Sequence, residues 1–358
     1  MSIRRDIAVI GAGITGLTIA WKLKQMGHKV RVFEQQKSVG GAIKTIKHDD
    51  WMVESGPNTV LLKDQSVRDF IENDLRLKEE LIFANDESKN RYIVKNGKPV
   101  PLPTSPAAFF FSRLFSLSAK FRLLKEPFIP PFDPRNPEKE SVADFVRRRL
   151  GPEFLDYAIN PFVGGVFAGD PEKLAVEHAF PKLYELEQKY GSLIKGQIKG
   201  AKERKKAGRA NPDTARIFSF KKGLQQLPAR LAEDLSAELR LGLNVREIKA
   251  RYFNWYVTTL HNGRYQEHKF EKVVIATNPK ALSFIDGPWV TSPLERVPSP
   301  PVSVVSVGFK RKDVKHPLNG FGMLVPEKEN RKILGCLFSS TLFEERAPYG
   351  EVLLTVFV

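Results

Sequence analysis

The chain opens with an unbroken apolar run, Ile7-Ala8-Val9-Ile10, set between Asp6 and Gly11. Four apolar residues without polar alternation predict a short strand buried on both faces, as in a parallel sheet. From Leu17 to Leu23 the apolar positions recur at helical spacing, and Gly27 supplies a stop. Lys29-Val30-Arg31-Val32-Phe33 returns to a strand. Further on, Val67, Phe70, Ile71 and Leu75 predict a helix and its exit over 60–83. Residues 92–94 and 99–102 flank Asn96-Gly97, a hairpin signal. Ser141 is placed to cap a helix that continues to Gly151. Leu227, Leu231 and Leu235 mark a later helix, followed by strands over 243–248, 255–260 and 265–269, the last two joined by Asn262-Gly263. Lys272 to Thr277 is a buried strand ended by Asn278-Pro279, and 302–309 with 323–325 opens a second sheet.

The stretch 103–132 has a different pattern. Phe110, Leu114, Leu117, Phe121 and Leu124 follow at steps of four, three, four and three, making one apolar stripe, with Arg113, Lys120, Arg122 and Lys125 nearby. Such a helix fits two settings: the face of an anionic membrane, or the core of a domain.

Between the first strand and helix stands Gly11-Ala12-Gly13-Ile14-Thr15-Gly16. Gly11 permits a tight turn, Gly13 lets a diphosphate approach the backbone, and Gly16 lets helix and strand pack closely. The N–H groups that open the helix, at Ile14 and Thr15, add a positive end for phosphates. The second strand ends at Glu34-Gln35. A carboxylate there accepts hydrogen bonds from ribose hydroxyls and repels a 2′-phosphate. Strand, glycine turn, helix, second strand and acidic end together predict a dinucleotide site. Ala276 and Thr277 end a later strand with small side chains, which leave room beside such a ligand.

Composition narrows the chemistry. The 358 residues carry a formal net charge of +16, and half of it, ten basic against two acidic residues, falls between Lys195 and Lys222. That sign favours an anionic partner. No nucleic-acid signature accompanies it, so nucleic acid is not expected. The charged stretch 195–209 predicts an exposed helix or a linker. Cys336 is the single cysteine, which excludes a disulfide framework or thiolate cluster and fits a reducing compartment. No metal is expected. The apolar, glycine-rich stretch Asn160 to Pro171 holds no paired ionisable groups. Glycines there allow a flat ring to approach, with Phe167 and Gly169 as lining candidates. Arg91, at the start of the hairpin, is either a solvated strand-edge residue or a clamp for a carboxylate. His178 stands alone and is read as structural. No general base is evident, and the catalytic residues are left unassigned.

The stretches IAVIGAGITGLTIA, VFEQ…VGGAIKT, VESGPN, RYIVKNGKPVPLP, NPFVGGVFAGDPEKLAVEHAFPKLYELE, FSFKKGLQQLP, VVIAT and GFGMLVP together resemble the protoporphyrinogen oxidase and coproporphyrinogen III oxidase family of amine-oxidase-like flavoproteins. The front motifs are shared with other flavoproteins, whereas NPFVGGVFAGDPEKL and GFGMLVP are more specific to this group. The resemblance implies FAD as cofactor, held also by Gly40, Gly41, Ala42, Gly56, Pro57, Asn58 and the backbone of Val245. It implies that Arg91 meets a substrate propionate. It implies a porphyrinogen substrate, dioxygen as acceptor, and a helical insert that docks on a membrane; a homodimer is left open. The cell location follows as the cytoplasmic side of a membrane or, alternatively, the cytoplasm itself.

The expected fold is α/β: a Rossmann-like FAD domain over 1–84 and 211–290, interrupted by a helical insert at 85–210, with part of a mixed substrate sheet at 291–358. The resemblance implies a further segment returning to the FAD domain with a late glycine motif. The chain ends in a strand-like run, EVLLTVFV, without it, and is expected to be C-terminally incomplete. Protoporphyrinogen IX is the first-choice substrate and coproporphyrinogen III the alternative. An inactive FAD-binding scaffold is the reading from another class.

Overall fold

The computed structural model describes residues 4–133, 135, 139–206, 216–279, 285 and 296–358. The end of the basic stretch, 207–215, and the expected boundary at 290–291 lie outside them. The chain forms two compact units, Met1–Phe83 with Arg216–Ser299, and Ala84–Ala215 with Pro300–Val358.

The first unit is built on a parallel sheet in the order Leu239–Leu241, Lys29–Glu34, Asp6–Ile10, Lys272–Ile275. Alternation along its strands divides the core in two. Val9, Val30 and Val32 pack with Leu17, Ala20 and Trp21 of helix Ile14–Gln25 and with Leu231 of helix Gln226–Asp234. Ala8, Ile10 and Phe33 face the other way, against Val245, Ile248, Val257 and Phe270. These belong to an antiparallel three-stranded sheet of Asn244–Arg251, Asn254–His261 and Arg264–Phe270. Both faces of the parallel sheet are therefore covered, which is why its opening strand is apolar at every position.

The predicted helix over 60–83 is only partly formed. Val60–Leu62 is a strand paired antiparallel with 216–218, and Leu81–Phe83 pairs on the other side of that strand. A helix of Gln65–Asp69, continued with wider turns over Phe70–Asp74, lies between them. The helical spacing of Phe70, Ile71 and Leu75 held over that middle section. The β-branched and apolar ends found partners 135 or more residues away, which local spacing does not report.

The second unit holds a six-stranded sheet, ordered Val304–Lys310, Glu351–Phe357, Gly335–Leu337, Gly322–Leu324, Arg91–Lys95, Lys98–Pro101. Asn96 and Gly97, both at positive φ, turn the predicted hairpin. Gly322–Leu324 pairs parallel with 91–93, so one sheet joins the front and the end of this unit. Ser141 caps helix Val142–Arg149, its Oγ accepting from Asp144 N at 3.0 Å. Leu193–Lys206 forms a helix.

Asn160–Phe167 is a helix, ended by Ala168 in the left-handed region, and Gly164 and Gly165 lie within it. A Cβ on Gly165 would stand 2.6 Å from Leu324 Cδ2. Its bareness lets the helix lie on the sheet. The expectation that the apolar stripe over 103–132 is one helix is corrected. The stripe breaks into Pro106–Phe111 and Leu117–Leu123, each capped by a serine, and the segment between buries Leu114 and Phe115.

That break overturns the anionic membrane surface as a partner. Lys120, one of the four cations expected near such a surface, is 6% exposed. Its Nζ donates to the carbonyls of Phe110 at 2.8 Å and Ser112 at 2.7 Å, tying the two short helices together. Among the described residues, no helix is long and apolar enough to cross a membrane.

Candidate cofactor and substrate sites

Gly11 holds φ +100, and a Cβ there would lie 2.8 Å from the carbonyl oxygen of Ala276. The first turn of the chain is thereby pressed against the end of the fourth strand. Gly16 is tighter still: a Cβ would stand 1.9 Å from Gly11 O. Gly13 differs, with nothing within 4 Å of where its Cβ would be. Its missing side chain faces open space at the N-terminus of helix Ile14–Gln25, where first-turn N–H groups lack intrahelical partners.

That space is part of a cavity of about 880 Å³. Gly11, Gly13, Ile14 and Thr15 form one wall, and Gly40, Gly41, Ala42 and Pro57 another. Glu34 and Gln35 close one end, beside Val245; Ala276 and Thr277 line it at the strand end. The structure thus brings thirteen of the sixteen cofactor-site candidates to one hollow. The remaining three stand behind it. Gly16 packs helix on strand, Gly56 lies against the carbonyl of Ala42, and Asn58 Nδ2 donates to Gly56 O at 3.0 Å.

Glu34 is 9% exposed and its carboxylate is fixed from the protein side. Oε2 accepts from Ala12 N and Oε1 from Gln36 N, each at 2.8 Å. Two backbone donors hold the group in one orientation, and each oxygen keeps a further lone pair for a ligand hydroxyl. The Thr277 hydroxyl is buried without a hydrogen-bond partner. A buried hydroxyl in that state is costly unless a ligand completes it.

Sequence reasoning missed Gln36, Leu243, Asn244, Arg246 and Asn278, which also line the cavity. Leu243 N donates to Glu34 O at 2.9 Å and Gly242 N to Gln36 O at 3.0 Å. These bonds bring the 242–246 segment to the acidic end of the second strand. The signal for them was adjacency in the chain to predicted residues: Gln36 to Gln35, Asn278 to Thr277, and 243–246 to Val245.

These features are what FAD requires: bare backbone for a diphosphate, a helix N-terminus facing it, an acidic anchor for ribose, and a second glycine pair. Cavity and donor set fit the cofactor.

The substrate candidates belong to the second unit. Arg91 is exposed at the head of its strand, with its guanidinium 5.3 Å from the Phe321 ring centroid. Phe167, 43% exposed, meets Phe180 edge to face at the end of helix Asn160–Phe167. Gly169 follows, and a Cβ on it would touch Leu174 and Phe167. The helix packs on Gly322–Leu324, the strand next to that of Arg91. A cleft of about 850 Å³ in this unit, lined by Lys95, Arg122, Lys125, Tyr157 and Lys328 among others, contains none of the three candidates. His178 is exposed beside Glu177, with Nε2 3.0 Å from its Oε1, and belongs to neither cavity.

A parallel sheet with this cradle defines an FAD-dependent oxidoreductase. The chain belongs to the flavin containing amine oxidoreductase family, which matches residues 14–358. Within it, the chain is related to the porphyrinogen oxidases. It is 36% identical to protoporphyrinogen oxidase 2, chloroplastic/mitochondrial, of Arabidopsis thaliana, over 99% of this chain and 75% of that protein. Coproporphyrinogen III oxidase of Bacillus subtilis is 28% identical over 99% of this chain and 77% of that protein. A solved structure from Exiguobacterium sp. 255-15 superposes with a TM-score of 0.79 at 22% identity, covering 100% of this chain and 77% of that one, which shows the shared fold.

Proposed function

We propose that this protein oxidises protoporphyrinogen IX to protoporphyrin IX through FAD, with dioxygen as final acceptor. The conversion removes six electrons and six protons. Three dioxygen molecules take them up, giving three hydrogen peroxide molecules. When bound, FAD supplies two-electron oxidation three times over.

The observation that carries the reading is the single cavity uniting the Gly11–Gly13 turn, the Gly40-Gly41 pair and the anchored Glu34. In this reading Gly13, Gly40 and Gly41 receive the diphosphate against bare backbone. Glu34 would take ribose hydroxyls, Val245 would border adenine, and Thr277 would offer the ligand its unpartnered hydroxyl. Arg91 takes a substrate carboxylate: its guanidinium is exposed and held over Phe321, so little freedom is lost on pairing. Phe167 and Gly169 border the ring. The chain's own residues bind, orient and exclude water, and no proton-transfer residue is assigned.

The identity to the plant protein favours protoporphyrinogen. Coproporphyrinogen III is the second reading, favoured by the +16 charge, since that substrate carries four carboxylates. Location in a reducing compartment, the cytoplasm, accompanies both readings, supported by the lone buried thiol of Cys336.

The test is an aerobic assay of both porphyrinogens with FAD, following porphyrin fluorescence and peroxide. Faster turnover of protoporphyrinogen supports the first reading. Turnover of coproporphyrinogen alone replaces it with the second, and no turnover of either leaves a flavin-binding scaffold.

A further inference from the structure

The glycine pair 40–41 lies outside any helix or strand, with only an isolated parallel bridge from Gly40 to Gly13, yet it must lie against the first turn to complete the cradle. Gly40 N donates to Ala12 O at 2.9 Å, and a Cβ on Gly41 would stand 3.2 Å from Gly13 Cα. The outer side of the pair is held by a relay. Gln225 Nε2 donates to Val39 O at 2.9 Å. Gln225 N donates to Thr45 Oγ1 at 3.1 Å, and Thr45 Oγ1 donates to Glu54 Oε2 at 2.7 Å. The other oxygen of Glu54 accepts from Leu224 N at 2.8 Å.

Glu54 is 3% exposed and lies directly across the hairpin from Thr45. Gly223, at φ +87, approaches Thr45 so closely that a Cβ would stand 2.3 Å from Thr45 Cγ2. The carboxylate thus joins two segments distant in the chain, the hairpin 45–54 and the turn 223–225. Neither Glu54 nor Thr45 lines the cofactor cavity.

We infer that Glu54 is a positioning residue for the cofactor diphosphate, acting through Thr45 and Gln225 to hold Gly40 and Gly41 against Gly13. The inference rests on the FAD reading of the cavity. A carboxylate suits this place because both its neighbours donate. Thr45 is the link that both accepts and donates, which only a hydroxyl does from so short a side chain. Preorganising the pair before ligand arrives spares the cofactor that ordering cost.

The test measures FAD binding to the apoprotein by flavin fluorescence quenching, alongside the melting temperature with and without FAD. Thr45→Val keeps the shape and removes the link; Gln225→Leu removes the last bond. Each is expected to raise the FAD Kd at least tenfold and to shrink the FAD-induced rise in melting temperature, while the apoprotein melts within a few degrees of wild type. Thr45→Ser is expected to stay within about threefold of wild type, and the double variant to be little worse than either single one, as for residues acting in series. Glu54→Gln, which keeps one acceptor, is expected to fall between wild type and Glu54→Leu. If Glu54→Leu does not fold, the Thr45 and Gln225 variants still decide. Wild-type FAD affinity in Thr45→Val and Gln225→Leu would overturn the inference, as would losses that merely follow the apoprotein's melting temperature. Failure of the wild-type chain to bind FAD would instead remove the cofactor reading beneath it.

Discussion

Arg149 Nη1 lies 3.1 Å from Glu126 Oε1, and neither side chain has any exposure. Arg149 also pairs with Glu187 and donates to the carbonyl of Ile129 at 2.9 Å. Glu126 in turn accepts from Ser192 Oγ at 2.5 Å and Leu193 N at 2.8 Å, so it caps helix Leu193–Lys206. Arg149→Met leaves Glu126 buried without its cation, while Glu187 keeps Arg148 at 2.8 Å. It is expected to cost about 3–5 kcal/mol of stability, read by chemical denaturation. A loss under about 1 kcal/mol would show that the cluster is dispensable.

Gly13 and Gly16 separate binding from folding. Gly13 has an ordinary extended backbone, φ −70 and ψ 175, and open space at its Cβ position. Gly13→Ala is expected to change apoprotein stability by no more than about 0.5 kcal/mol. It places a methyl in the cradle and is expected to weaken FAD at least tenfold, about 1.4 kcal/mol. Gly16→Ala forces a methyl into Gly11 O and is expected to destabilise the fold by about 1–3 kcal/mol or more. Calorimetry of the two apoproteins, with an FAD titration of the first, checks both.

Burial pushes the Cys336 thiol up to about 11 from its ordinary value near 9.0. The thiolate is the reactive form, so a disulfide reagent at pH 8 is expected to label the native protein slowly and the denatured protein at once. Linkage gives the sign for stability. The native state keeps its proton longer, so this contribution is intact below pH 9 and is lost as pH rises toward 11. Native labelling at the denatured rate would contradict this.

Two histidines act at the acid end. Burial lowers the His268 value, with Arg31 and Arg240 adding to it, and burial with nearby Arg311 lowers that of His316. His316 Nδ1 accepts from Leu318 N at 3.0 Å, a bond its protonation abolishes. Both groups bind protons more readily unfolded. Their contribution is therefore present above pH 6.5 and is lost as pH falls below it. His316→Gln is expected to flatten the decline in denaturation midpoint between pH 7 and pH 5, and an unchanged slope would refute its part.

What could be read in advance was whatever the chain states locally. The first strand, the glycine turn and Glu34 lie within about thirty residues, and their spacing is their geometry. The turns at Asn96-Gly97 and Asn262-Gly263 were equally legible, because both need positive φ at each position. Long-range packing decided the rest. Val60–Leu62 became a strand because 216–218 lay beside it. The stripe at 103–132 kept its period across a break, since period alone does not reveal that Ser116 caps a new helix. The contact of Gly165 with Leu324, which lets the helix Asn160–Phe167 lie on the sheet, is another such long-range pairing. In the cradle, the lining role of Arg246 and Asn244 depends on bonds from 242–243 to 34–36 that no local pattern encodes.

The parallel pairing of Gly322–Leu324 with 91–93 also bears on biosynthesis. The earlier strand leaves the ribosome more than two hundred residues before its neighbour exists, at about 5–20 residues per second. For ten seconds or more its inner edge stands unpaired, in a segment flanked by phenylalanines. Such a nascent chain needs shielding until residue 324 emerges, and its yield in cells is expected to depend on holdase chaperones more than its finished stability would suggest.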